Sequence, residues 1–123
     1  MSGLLEAFRR NYAANSEAFN RHDFVAAFAA APDDLVWEPM PQLVDRQRLE
    51  GKAAVIEAFR GIADAWPDWH TELLEMTEPT PGLIQLRFLG RGTAKISGVP
   101  TETRFVQEWD FRAEPLTVRE YLA

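Results

Sequence analysis

The first part of the chain carries hydrophobic side chains at a helical period. They recur at alternating spacings of three and four residues, which places them along one face of a helix. One position on that face, Asn15, is polar, although its neighbours on the face are apolar. The pattern therefore predicts a long N-terminal helix with an amide on its apolar face. The positions concerned are Leu5, Phe8, Tyr12, Asn15 and Phe19.

Two further helices and a short strand are predicted before residue 70. Asp23 is a good N-cap for a second helix that stops at Pro32. A brief strand follows from Leu35 to Glu38, and prolines close it because they cannot donate to a sheet ladder. We expect residues 39–50 to leave the sheet, and a third helix to run from Gly51 to Pro67.

The remainder of the chain has a period of two, which is typical of antiparallel strands joined by short turns. Gly90 and Gly92 interrupt the longest strand and predict a bulge or sharp bend. The order of elements predicts one α+β domain over residues 1–123, in which three helices cover a curved, mostly antiparallel sheet. The predicted strands run from His70 to Thr77, Leu83 to Ile96, Thr101 to Phe111 and Leu116 to Leu122.

Composition narrows the classes of partner. The 123 residues include 13 basic and 19 acidic side chains, a formal net charge of −6, which disfavours nucleic acid and anionic membranes. With no cysteine there is no disulfide or thiolate chemistry, and two histidines without further ligands at metal-binding spacing predict no metal site and no cofactor. Charges near the N-terminus and the lack of a long apolar run predict a cytoplasmic protein.

Several short motifs, in this order, carry a family resemblance. They are NRHD at 20–23, VWEP at 36–39, GKAAVI at 51–56 and VREYL at 118–122. The chain resembles the SnoaL-like and ketosteroid-isomerase-like proteins of the nuclear transport factor 2-like superfamily. That resemblance implies a cone-shaped, cystatin-like α+β barrel with a pocket at its open end, a small apolar molecule as ligand, and a homodimer. We expect the dimer to form through the convex sheet face, where Val106, Ile96 and Leu89 are candidate contacts.

The resemblance also implies a catalytic base. In the isomerases a carboxylate directly before the proline that closes the first short strand removes a proton, and Glu38 occupies that place. Strand alternation leaves two orientations open. If Glu38 faces the pocket, Trp37 covers the outside; if Trp37 faces the pocket, Glu38 is solvated.

The partners that stabilise an oxyanion in the isomerases, a tyrosine and a protonated aspartic acid, are replaced by Asn15 and Gln107. Amides donate hydrogen bonds but carry no acidic proton. Tyr12, one turn away, can substitute or serve as a core residue. Gln107 alternates with aromatic residues such as Trp109, so a partner must satisfy its amide. His70 can reach a cavity or remain exposed.

Two functions stay open at this point. One is an isomerase or cyclase that moves a proton on a hydrophobic carbonyl compound without a cofactor, with Glu38 as base. The other is a non-catalytic ligand-binding or dimerisation domain of the same fold. The second is favoured by the amides at both oxyanion positions, by the lack of a histidine pair and by the lack of an aspartate after Tyr121 and Leu122.

Overall fold

The computed structural model describes residues 3–41 and 48–123. The predicted excursion over 39–50 is shorter than expected, because a two-residue strand already begins at Leu49; residues 42–47 lie outside the described part. The elements are α1 (Gly3–Asn20), α2 (Phe24–Ala27), β1 (Val36–Glu38), β2 (Leu49–Glu50), α3 (Lys52–Ala65), β3 (His70–Thr80), β4 (Leu83–Thr93), β5 (Pro100–Asp110) and β6 (Thr117–Leu122).

The described strands form a six-stranded sheet in the order β2-β1-β6-β5-β4-β3. Neighbouring strands are antiparallel except β1 and β6, which pair in parallel and bring Trp37 beside Val118. Because side chains alternate along each strand, Trp37, Val118 and Trp109 share one face of the sheet, and that face carries the core. The α+β class predicted from the sequence is confirmed.

The prediction of a bulge at Gly90 and Gly92 is wrong. The register between β4 and β5 is unbroken along both strands, and the register shifts lie instead on β3, between Leu73 and Glu75 and again after Thr77. Gly90 is needed for space, since a Cβ atom there would lie 2.6 Å from the Trp69 ring. The absence of side chains at Gly90 and Gly92 thus makes room for Trp69, and the register shifts on β3 fall at positions without glycine.

Polar groups at the end of α1 fasten it to the start of β3. The side chain of Asn20 both donates to the Thr71 carbonyl at 3.0 Å and accepts from the Thr71 backbone N–H at 2.9 Å. His22 Nε2 lies 2.7 Å from the Trp69 carbonyl oxygen. Asp23 caps α2 as predicted, by accepting from the Ala26 N–H, although α2 is shorter than expected. These bonds hold the segment that carries Trp69 next to the end of α1.

The opposite, outer face of the sheet carries charged side chains in ion pairs, such as Arg87 with Glu75. Of the three residues expected to contact a partner there, Val106 and Leu89 are buried within the chain itself, and Ile96 is exposed in the connection between β4 and β5. Within residues 3–41 and 48–123, no helix combines the length and the apolar character needed to cross a membrane.

Candidate active site

A cavity of about 320 Å³ lies between α1 and the core-bearing face of the sheet. Its walls are mostly apolar and carry many aromatic rings, because the apolar face of α1 meets the inward positions of β4 and β5. Trp66 does not line this cavity; it packs beside Trp69, with ring centroids 6.2 Å apart. The aromatic lining includes Phe8, Tyr12, Phe28, Trp37, Phe59, Trp69, Phe88, Phe105, Trp109 and Phe111.

Polar side chains enter this cavity from two sides. One set of polar side chains comes from α1, at positions about one turn apart. The other set comes from strands β3, β5 and β6. Among the described residues that line the cavity, Glu120 is the only aspartate or glutamate, and none is Lys, Arg or His. The polar lining residues are Asn11, Tyr12, Asn15, Ser16, Thr71, Gln107 and Glu120.

Gln107 is buried in the wall with both ends of its amide bonded. Trp109 Nε1 donates to Gln107 Oε1 at 2.7 Å, and Gln107 Nε2 donates to Glu120 Oε2 at 2.9 Å. The first bond joins alternate residues of β5, and the second joins directly opposite residues of β5 and β6. The partners that the sequence required for the Gln107 amide are therefore the Trp109 indole and the Glu120 carboxyl group.

Glu120 lies on the inward face of β6, between Val118 and Leu122. Burial raises the pKa of its carboxyl group above the ordinary value for glutamate, and the nearby N–H groups of Trp37, Gln107 and Met40 offset only part of that rise. Within the described residues, Trp37 Nε1 is buried and completes no hydrogen bond of good geometry, although it approaches this carboxyl group. The described lining of the cavity thus contains one carboxylic acid, and its pKa is raised.

Glu38 is not brought into the cavity. On β1 it is Trp37 that faces inward and lines the cavity, so the alternation turns Glu38 to the outer face. There Glu38 accepts from Arg119 Nε at 2.7 Å and pairs with Arg48 Nη1 at 3.4 Å. Of the two orientations left open by the sequence, the structure has the one in which Glu38 contacts charged surface residues.

His70 also lies outside the cavity. It is exposed on the outer face, where it lies opposite Arg91 in the register of β3 and β4. Its Nδ1 atom is 3.1 Å from the Asp68 carbonyl oxygen. The other predicted pocket residues, Asn15, Gln107, Tyr12 and Trp109, do line the cavity together. No group of three or more potential metal ligands from His, Asp and Glu occurs in the described ranges.

Asn15 and Tyr12 form the α1 side of the site. Asn15 makes no hydrogen bond to another described residue, so both ends of its amide can bind a ligand. Burial raises the pKa of the Tyr12 hydroxyl, an effect that Ser16 partly offsets, so this phenol stays a neutral donor. Its ring stacks on Phe88 with centroids 6.5 Å apart.

Sequence reasoning missed Glu120 as a member of the site. The available signal was the alternation in β6, where an acid falls between Val118 and Leu122 on a face that is otherwise apolar. Glu120 also lies directly opposite Gln107, but this relationship depends on the register of β5 and β6, which only the structure gives. Two polar residues paired across an apolar face mark the site better than either residue alone.

The SnoaL-like domain model matches residues 10–119. The chain therefore belongs to the SnoaL-like domain family, and its fold is of the nuclear transport factor 2-like, ketosteroid-isomerase-like type. No curated protein matches it.

Solved structures with the same fold share little sequence with the chain. A nuclear transport factor 2-like protein of unknown function from Burkholderia pseudomallei is 22% identical, with a TM-score of 0.76 over 94% of this chain and 89% of that one. A protein with the ketosteroid isomerase-like fold from Catenulispora acidiphila, in complex with trimethylamine, is 11% identical, with a TM-score of 0.74 over 91% and 84%. TerC, co-crystallised with polyporic acid, is 13% identical, with a TM-score of 0.74 over 94% and 90%.

Proposed function

We propose that the chain binds a small, largely apolar carbonyl compound in its cavity, and that Glu120 moves a proton on it. The observation that carries this proposal is the carboxyl group of Glu120 in an aromatic wall, held by Gln107 Nε2 at 2.9 Å and without a cationic partner among the described lining residues. Burial raises the pKa of this group. A carboxyl group with a raised pKa is a stronger base when ionised, and its pKa lies closer to neutral pH.

The remaining polar groups of the cavity can bind the carbonyl oxygen of the ligand. Removal of a proton next to a carbonyl develops negative charge on that oxygen, and a positioned N–H or O–H donor stabilises it. The unpaired amide of Asn15 and the neutral hydroxyl of Tyr12 are donors of this kind. Because no cation lines the described cavity wall, a carboxylate or phosphate ligand would lack a counter-charge, so the substrate class is uncharged.

Exchange of the C1 protons of 2-tetralone in heavy water, followed by proton NMR, tests the proposal. We expect the protein to accelerate exchange over buffer, Glu120→Gln to remove at least about nine-tenths of the acceleration, and the matched control Glu38→Gln to retain it. Both variants replace a carboxylate by its isosteric amide, one inside the cavity and one outside. No acceleration by the unaltered protein, or equal loss in the two variants, contradicts the proposal.

A second candidate function is the binding of an organic ammonium ion without chemistry. A carboxyl group in a cavity that Trp37 and Trp109 also line can pair with such an ion, since aromatic rings attract cations. The complex of the Catenulispora acidiphila protein with trimethylamine makes this ligand class worth testing. Benzyltrimethylammonium should then raise the melting temperature of the unaltered protein but not that of Glu120→Gln. An equal rise in both contradicts this candidate.

We also propose, from the resemblance alone, that the chain forms a homodimer. A cytoplasmic location likewise stays a prediction. Neither bears on which residue carries the proton.

A further inference from the structure

We infer that Trp109 is a positioning residue whose indole N–H fixes the orientation of the Gln107 amide, so that Gln107 presents its N–H donor, and not its carbonyl oxygen, to Glu120. The role deepens the proposed function, because it concerns the same acid. Its primary test does not depend on turnover.

The indole ring that makes this bond is itself held in place. Trp109 meets Phe8 edge to face at 5.2 Å between ring centroids and Trp37 at 5.7 Å, and it stacks on Phe111 at 6.4 Å. With its ring packed on three sides, the Nε1–H group has a defined direction, toward Gln107 Oε1 at 2.7 Å. Trp109 and Gln107 are alternate residues on one face of β5, so the strand itself sets their separation.

This bond decides which end of the amide meets the acid. If the amide were flipped, its NH₂ group would face the indole N–H, so that two donors would meet. Its oxygen would face the ionised Glu120 carboxylate, so that two acceptors would meet. Both bonds of the observed arrangement would be lost. Buried polar groups without partners are costly, so Trp109 holds the amide in one orientation.

The orientation has a consequence for the acid. An N–H donor stabilises the charged carboxylate and so opposes the rise in pKa that burial causes at Glu120. If Trp109 lost its N–H, the amide could rotate and accept a hydrogen bond from the protonated acid. That bond stabilises the neutral form. Trp109 therefore limits how far burial raises the pKa of Glu120, and keeps its carboxylate form accessible for proton removal.

The test is a pH titration of the Glu120 side-chain carboxyl by ¹³C NMR on the ligand-free protein, with the signal assigned by its loss in Glu120→Gln. We expect Trp109→Phe to raise the pKa of Glu120 by about one unit, a tenfold change in proton affinity. The matched control is Tyr121→Phe, which removes a hydroxyl adjacent in sequence to Glu120 but on the outer face, where it donates to Glu108. A pKa that stays or falls in Trp109→Phe, or rises equally in Tyr121→Phe, overturns the inference.

A second variant keeps the inference testable if Trp109→Phe does not fold. Gln107→Leu removes the donor to Glu120 directly and should raise the pKa of Glu120 at least as much; no rise overturns the inference.

Exchange of 2-tetralone separates the two proposals. If the titration shifts as expected but the unaltered protein exchanges no protons, the proposed function fails and the positioning role stands. If exchange depends on Glu120 but the titration does not shift, the positioning role fails alone.

Discussion

Gln107 and Glu120 occupy directly opposite positions on β5 and β6, and Gln107 Nε2 donates to Glu120 Oε2 at 2.9 Å. Both residues line the same cavity. An amide held in this way supplies a hydrogen bond without a charge, so the acid is fixed in place while its pKa remains raised by burial. An arginine or lysine in place of Gln107 would fix the acid equally well but would keep it ionised and weakly basic.

The raised pKa of Glu120 predicts a pH-dependent contribution to stability. The folded protein takes up the Glu120 proton at a higher pH than the unfolded chain, so between the ordinary glutamate pKa and the raised one the folded state binds more protons. The free energy of unfolding therefore falls as pH rises through that window. Glu120→Gln removes this dependence. Urea unfolding from about pH 4 to about pH 8 should show the variant gaining stability relative to the unaltered protein; a constant difference would contradict the burial of this acid.

Glu38→Gln should affect stability and leave the cavity unchanged. The substitution breaks the ion pairs with Arg119 at 2.7 Å and Arg48 at 3.4 Å, in which each arginine side chain is about half exposed. Pairs of this exposure contribute roughly 0.2 to 1 kcal/mol. We expect a loss of that size in urea unfolding, reduced further by salt. An unchanged stability together with a lost exchange activity would show instead that Glu38 acts on the ligand.

Gly90→Ala should destabilise the protein through Trp69. The added Cβ atom would lie 2.6 Å from the Trp69 ring and 3.2 Å from Phe105, so the indole must move. Overpacking of this kind costs roughly 1 to 3 kcal/mol. The matched control is Gly61→Ala, on the exposed side of α3 with nothing within 4 Å, which should stabilise the helix by about 0.5 to 1 kcal/mol. The two free energies of unfolding should therefore change in opposite directions, and a shared direction would contradict the packing described for Trp69.

Asn15 and Asn20 lie on the same helix but should respond differently to replacement by leucine. Asn15 has no hydrogen bond to another described residue and faces the cavity, so Asn15→Leu should retain stability and weaken ketone exchange about tenfold. Asn20 makes two hydrogen bonds to the Thr71 backbone, so Asn20→Leu should cost roughly 1 to 3 kcal/mol. Differential scanning calorimetry and the exchange assay separate the two. A large loss of stability in Asn15→Leu would assign that amide to the structure and not to the ligand.

The fold followed from the sequence because its signals are local. The helical spacing from Leu5 to Phe19, the cap at Asp23 and the alternation in the later strands each act within a few residues. Gly90 was misinterpreted for the opposite reason. Its role depends on Trp69, which lies just before β3 and is distant from Gly90 in sequence, so the contact is visible in the structure and not in the spacing of residues.

The site was only half predictable. Asn15 and Gln107 were detected because each is polar on an apolar face, a signal that survives without a structure. Glu38 was assigned by its place in a motif, but β1 has three residues, too few for alternation to fix which face is buried. The parallel pairing of β1 with β6 decides it by setting Trp37 beside Val118. The same strand, β6, supplies the acid.

The pH dependence of ketone exchange, compared with the titration of Glu120, tests the central claim most directly. For a general base, kcat/KM rises with pH through the pKa of that base in the free enzyme. After subtraction of the buffer rate, the rise for 2-tetralone exchange should match the pKa of Glu120 measured by ¹³C NMR, and it should be absent in Glu120→Gln. A rise at a clearly different pH, or one that persists in Glu120→Gln, would show that Glu120 does not carry the proton.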